Sequence, residues 1–401
     1  MTSAPARGAQ RPAQSPGRRL AMWFGCLVFA TLALISGLDR MAATGPTVAA
    51  HLPPIIAVQG LDTQGQKLIA SDDGADGLAL ATRMVARAPV EPVATALLGA
   101  ARLATNDPAG ADRAFRVAGQ LGWRVPLAQV YWYDRALELG DYRVAGERLD
   151  ALLRQNPALL ASRPLLDPME RDPRGRVAIV DRLVARPDWL SHYVQDVTEI
   201  SNDALLLRAQ VLKELNGRGV QLGCDMVAPL IRRLSGDGDG VEAAALWRRN
   251  CREASGGMIA DSHFDALSLG TPRTPFEWEV IGNSDIAADF EPRDGRPRLV
   301  ASSTSEHVRP LLRQLVVAPS GKYRLAWRAR DAAGHPSTAI LATVSCSPDA
   351  AGWLRPTLDS SGDSTTSVTI NGDCPAHWLA FGIVPGAQSI ALEQVALEPA
   401  R

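Results

Sequence analysis

Three textures of apolar and polar residues follow one another along the chain. The first is an uncharged run of 19 residues, Leu20 to Leu38, reading LAMWFGCLVFATLALISGL. As a helix rising about 1.5 Å per residue, it just spans the hydrocarbon core of a bilayer. The second texture runs from Gly77 to about Arg252, in Ala-, Leu- and Arg-rich text with helical periodicity. The third begins near Ser262, where short segments alternate apolar with polar residues between clusters of Gly, Pro, Asp or Ser. These segments are VIGNSDIAADFE, RPLLRQLVVAP, KYRLAWRAR, AILATVSC, TSVTING, HWLAFGIVP and SIALEQVAL. Such spacing predicts an antiparallel β-sandwich or barrel. In Lys322–Arg330, Tyr323, Leu325, Trp327 and Ala329 share one face, and Arg324, Arg328 and Arg330 take the other. Residues 39–76, rich in Gly, Pro, Ala and Asp, read as a linker with one short extended piece at Ile55–Val58.

The helical text contains an internal repeat. Setting Glu91–Arg124 above Val125–Ala158 aligns Pro92 with Pro126, Ala94 with Ala128 and Leu103 with Leu137. It also aligns Asp107 with Asp141, Ala111 with Ala145 and Phe115 with Leu149. This offset of about 34 residues is the tetratricopeptide period. Each unit reads as helix, polar break, helix. In the breaks Asp107 and Asp141 can cap the following helix, and Pro108 is tolerated in its first turn. Ala111 and Ala145 fall where the two helices of a hairpin come closest. Gly77–Arg87 matches the second helix of a preceding unit, and Pro173–Ala185 that of a later one. Asn202–Asn216, Cys224–Leu234 and Val241–Cys251 continue as helices with less regular spacing.

Charge and cysteine content add a setting. Arg7, Arg11, Arg18 and Arg19 precede the apolar run with no acidic residue among them, which keeps the tail 1–19 on the cytoplasmic side and exports the rest. The rival reading is a cleaved signal peptide, whose apolar region is shorter, about 7–15 residues. Candidate cleavage sites at Ala42-Ala43 or Ala49-Ala50 lie away from the apolar end. Cys26, within the run, reads as a membrane-facing thiol. The remaining cysteines, Cys224, Cys251, Cys346 and Cys374, are even in number, as expected of disulfides in an oxidising compartment. Three pairings are open. Proximity and the domain boundary favour Cys224–Cys251 and Cys346–Cys374, and the first pair would pin one helical hairpin at its open end. No Cys-x2–4-Cys pair offers a zinc site. The balance of 42 Lys and Arg against 43 Asp and Glu provides no field to draw nucleic acid.

The arrangement resembles a group of bacterial envelope proteins with one anchor, tetratricopeptide-like repeats and a C-terminal jelly-roll domain similar in shape to carbohydrate-binding modules. The resembling residues are Phe264, Pro275-Phe276-Glu277-Trp278, Gln314-Leu315, Gly321-Lys322-Tyr323-Arg324-Leu325, Val344-Ser345-Cys346 and Gln388-Ser389-Ile390-Ala391-Leu392. The chain departs from that pattern at Ala339–Val344, which holds no Trp, and at Gly386-Ala387, where a Cys would stand. The resemblance implies a component of exopolysaccharide or capsule assembly that works with other envelope proteins and contacts polysaccharide.

No catalytic motif appears. Gly-x-Ser-x-Gly and His-Glu-x-x-His are absent, Gly60–Lys67 lacks the Gly-Lys-Ser/Thr of a phosphate loop, and the six histidines show no ligand spacing. Asp237-Gly238-Asp239-Gly240 lacks the closing Glu of a calcium loop and reads as an inter-helix turn. Glu277 and Glu279 flank Trp278 in the usual outward polar pattern. Trp378 opposes the Leu379-Phe381-Ile383 face and, with Trp353 in a Gly- and Pro-flanked loop, is the candidate for stacking against sugar rings. Packing of Trp378 under a loop or on the helical domain is the alternative. Arg124, Arg135 and Trp132 are candidates for a partner groove on the helical surface, although Trp123, Tyr131, Trp132 and Tyr133 suit the solenoid interior better than its groove.

The expectation is a multidomain α+β chain. It comprises a tail at 1–19, a transmembrane helix at 20–38, a linker at 39–76, an all-α tetratricopeptide-like solenoid at 77–255 and an antiparallel β-sandwich of jelly-roll type at 262–401. It is expected to be a non-enzymatic, single-pass inner-membrane protein with a periplasmic bulk, needing no cofactor or metal. The alternatives are an adaptor for a secretion or division complex with a purely protein-binding sandwich, or a divergent glycan-modifying enzyme.

Overall fold

The structure, a computed structural model, describes residues 16–42, 74–251, 257–266, 269–293, 296–349 and 352–400. The expected extended piece at Ile55–Val58 lies outside them. Helix α1 covers Pro16–Ala42, and its apolar stretch Leu20–Leu38 is not buried by the other described residues. Trp23 and Phe29, for instance, are more than 70% exposed. Cys26 is free and exposed within that stretch.

The chain divides into two compact units, Met1–Arg135 and Ala136–Arg401. In the first, α2 (Gly74–Arg87), α3 (Pro92–Ala104) and α4 (Pro108–Leu121) are followed by α5 (Pro126–Glu138), which runs on into the second. The break between α3 and α4 has the predicted chemistry: Asn106 turns at φ 59°, and the Asp107 carboxylate accepts from the Gly110 amide at 2.8 Å. Ala111 is fully buried, at the close approach assigned to it. Phe115 stacks on Tyr131 with ring centroids 4.1 Å apart. Gly99 also abuts the ring, so that a Cβ there would lie 2.7 Å from it. Gly99→Ala is therefore expected to cost about 1–3 kcal/mol, because the stacked ring has little room to retreat. A lowered urea midpoint with an unchanged slope measures it.

The second unit begins with the end of α5, which Gly140 terminates at φ 68°. Asp141 then caps α6 (Tyr142–Gln155) through the Val144 amide at 3.1 Å. A 3-10 turn, Pro157–Ala161, leads to α7 (Arg163–Arg171), α8 (Pro173–Leu183), α9 (Leu190–Gln195) and α10 (Asn202–Gly217). A buried polar hub ties these irregular helices together. Glu170 is wholly buried and Arg208 is 1% exposed. The Glu170 carboxylate accepts from the Tyr193 hydroxyl at 2.8 Å and from Arg163 at 2.7 Å. Arg208 donates to the carbonyls of Leu160, Tyr193 and Asp196 at 2.9, 3.1 and 3.3 Å. Burial, then the Glu170 charge, pushes the Tyr193 phenol well above its ordinary pKa, so Tyr193 remains a donor.

Helices α11 (Cys224–Gly236) and α12 (Gly240–Asn250) form the last hairpin, joined by the Asp237–Asp239 turn and closed by the Cys224–Cys251 disulfide. The strands begin at Glu279. The first sheet has the order β1 (Glu279–Val280), β4 (Arg309–Val316), β9 (His377–Ile383), β6 (Ile340–Ser345). The second has the order β2 (Ile286–Arg293), β3 (Arg296–Ser303), β10 (Ile390–Pro399), β5 (Gly321–Arg330), β8 (Ser364–Ile370), β7 (Thr357–Leu358). All pairings are antiparallel. Two sheets packed through one apolar layer make a sandwich rather than a barrel. The layer includes Trp278, Leu325, Trp327, Leu379, Phe381 and Ile383.

Strand β3 has no counterpart among the predicted segments. Its first residues include Pro297, and proline removes a ladder donor. Pro297 instead lies opposite Pro292 of edge strand β2, beyond the Leu299–Ala301 stretch that pairs with β10.

Candidate functional site

Alternation along β9 sorts its residues into two sets. His377, Leu379, Phe381 and Ile383 face the core and are buried, while Ala376, Trp378, Ala380 and Gly382 lie on the opposite face. On that outer face the register sets Leu315 and Ser345 beside Trp378, and Arg313 and Thr343 beside Ala380. Arg313 in turn lies opposite Glu279 of β1.

Three side chains meet there. The Arg313 guanidinium lies over the Trp378 ring, 5.2 Å from its centroid, and its Nε donates to Glu279 Oε2 at 2.6 Å. The Arg313 side chain is 25% exposed and that of Glu279 34%, and Trp378 is half-buried. The group therefore combines a flat apolar ring, a fixed cation with spare donors and a carboxylate acceptor, which is the chemistry that holds a polyhydroxylated ring. Arg313 occupies one approach to the indole, so stacking is left to the remaining ring surface.

Both ends of this face are covered. At one end Gly240 of α12 abuts Ala376 so closely that a Cβ on Gly240 would sit 2.4 Å from the Ala376 Cβ. Nearby, Trp247 stacks on Phe276 with centroids 5.2 Å apart. At the other end Trp353 lies over Gly382, where a Cβ would come within 2.8 Å of the indole. Leu354 bridges to Ala342 of β6, with its amide 2.8 Å from the Ala342 carbonyl. Trp353 and Trp378 thus share the outer face of the first sheet, both half-buried, four residues of β9 apart. The sequence names Glu279 only as an outward neighbour of Trp278, and Arg313 not at all. Only the strand register joins them to Trp378, and no spacing rule within one segment reports it.

The other candidate residues are placed as follows. In the first unit Arg124 and Arg135 are exposed. Trp132 is half-buried, packed edge-on against Tyr131 with centroids 5.1 Å apart and donating Nε1–H to the Phe115 carbonyl at 3.3 Å. The cysteines pair as favoured, Cys224 with Cys251 and Cys346 with Cys374. Glu277 accepts from the Arg273 amide at 3.2 Å and from the Thr274 hydroxyl at 3.3 Å, so the two glutamates around Trp278 have separate partners.

The second sheet's arginines are matched by acids. Arg324 pairs with Asp359 at 2.6 Å, and Arg328 and Arg330 share Asp363 at 3.0 and 3.3 Å. That face is polar, with three arginines set against two aspartates.

No protein-family model matches this chain, and neither does any curated sequence. Among solved structures, the enzymatically active domain of tailspike protein 4 from bacteriophage CBA120 is similar at 12% identity and a TM-score of 0.24, over 36% of this chain. The chain spans about a fifth (21%) of that domain's length. TmCBM61 in complex with β-1,4-galactotriose is similar at the same identity and TM-score, over 36% of this chain and 100% of that one. Both likenesses are distant, and function is read from the residues.

Proposed function

We propose that the protein is a non-enzymatic scaffold of exopolysaccharide or capsule assembly, anchored in the inner membrane by α1 with its bulk in the periplasm. The helical repeats hold other envelope proteins, and the sandwich contacts glycan at Trp378, Arg313 and Glu279. One observation carries the reading: α1 presents an apolar stretch of 19 residues that no other described residue buries, a surface suited to lipid. The two disulfides support export, since such bonds persist in oxidising compartments. The resemblance of the whole arrangement to envelope polysaccharide proteins supplies the pathway class. The clustering of ring, cation and carboxylate on one sheet face supports the glycan.

Affinity electrophoresis through gels carrying the host's surface polysaccharide tests the binding claim. Retention of the full chain in detergent is expected, and Trp378→Ala is expected to weaken it about tenfold or more, equivalent to about 1.4 kcal/mol. Equal retention of the variant, with its thermal transition intact, would transfer the sandwich to the adaptor reading. Turnover of a labelled oligosaccharide would contradict the non-enzymatic assignment. A periplasm-dependent reporter fused after Arg401 is expected to be active; activity only of a cytosol-dependent reporter would overturn the topology.

A further inference from the structure

The fold assembles a donor set at one end of the first sheet that the spacing of the cysteines does not announce. Strands β6 and β9 are antiparallel, with Ser345 opposite Trp378, so the next step of the ladder sets Cys346 against His377. Cys374 lies three residues before His377 and is bonded to Cys346. The donor atoms of Cys346, Cys374 and His377 all lie within 4.8 Å of one another. His377 is 5% exposed, and its Nδ1 is buried without a hydrogen-bond partner among the described residues. A buried ring nitrogen left unpaired is costly and calls for a reason.

The two disulfides differ in access. Cys346 is exposed and Cys374 half-buried, whereas Cys224 and Cys251 are 8% and 6% exposed. A small dithiol therefore reaches the sandwich bond first. Two donors held by one Zn2+ at about 2.0–2.3 Å stand about 3.5–4 Å apart, a spacing these side chains reach by rotation about their own bonds.

We propose that reduction of Cys346–Cys374 turns this corner into a Cys2His site for Zn2+, with the fourth position open to water. A dithiol reductant supplies two electrons and two protons, breaks the S–S bond and leaves as its own disulfide. Zn2+ then displaces both thiol protons, and His377 donates a ring lone pair. Two thiolates cancel the metal's charge, which suits a partly buried site. This site goes beyond the glycan face, lying on the core-facing side of β9, and needs none of its residues.

The test uses the full chain in detergent, treated with dithiothreitol until two thiols per chain are titratable beyond that of Cys26, with the reductant removed before metal is added. Peptide mapping of the alkylated sample is expected to assign both new thiols to Cys346 and Cys374. Co2+ is the probe: one equivalent is expected to give the thiolate charge-transfer and tetrahedral d–d bands, displaced by Zn2+ and missing from the oxidised chain. His377→Gln is expected to bind at least tenfold more weakly. Because that position is buried, the exposed Cys346→Ser is the second variant and is expected to abolish the bands. Bands that survive Cys346→Ser, Co2+ affinity unchanged by His377→Gln, a reduced chain that takes up no Co2+, or first opening of Cys224–Cys251 would each overturn the proposal.

Discussion

Replacing Glu170 by alanine is expected to destabilise the helical part of the second unit by about 3–5 kcal/mol, the range for removing one partner of a buried ion pair. The size follows from what remains. Arg208, 1% exposed, keeps its three carbonyl partners but loses the anion 3.8 Å from its Nε, and the buried Tyr193 hydroxyl loses its acceptor. Neither group can turn to water. Urea unfolding monitored by far-UV circular dichroism measures the effect as a fall in midpoint. A change below about 1 kcal/mol would mean that the helices relax enough to hydrate the arginine. The paired replacement Glu170→Leu with Arg208→Met should recover most of the loss, because an apolar pair of similar volume often matches or exceeds a buried ion pair.

Phe381→Ala should have an effect of similar size in the sandwich, about 3–5 kcal/mol as for other buried aromatic truncations. Phe381 is fully buried, and its ring lies 5.9 Å from that of Trp278 and 5.5 Å from that of Trp327. Removing it hollows the centre of a layer to which both sheets contribute. Neighbouring Trp378, half-buried on the opposite side of the same strand, should cost less than half as much when truncated. The pair of variants thus separates core from surface along β9. Near-UV circular dichroism with thermal melting reads both, and comparable losses would place Trp378 in the core.

The helical architecture was legible because its signals are local. Helix period, proline at first turns and the caps Asp107 and Asp141 all lie within a few residues of the breaks they create. The same holds for Trp327, whose stripe with Tyr323 and Leu325 forms the sandwich core. What stayed hidden depends on pairing. Strand β3 was obscured by Pro292 and Pro297, which an edge hairpin tolerates. Arg313 and Glu279 come to Trp378 through strands distant in the chain, as Cys346 comes to His377. The irregular helices after residue 158 carry their explanation in the Glu170–Arg208 hub, whose members are dispersed from Leu160 to Arg208 with no period. Trp378 faced outward as alternation required, yet the arginine laid across its ring reduces the display that the sequence implied.

The contact between Gly240 and Ala376 makes the shape of one part of the molecule a condition on the other. Neither position can acquire a larger side chain unless the other yields, and a helical layer borrowed from another protein would meet β9 with the wrong profile. The hairpin and the sandwich thus fit only as a matched pair, and chimaeras joined between residues 251 and 257 should assemble poorly however well each half folds.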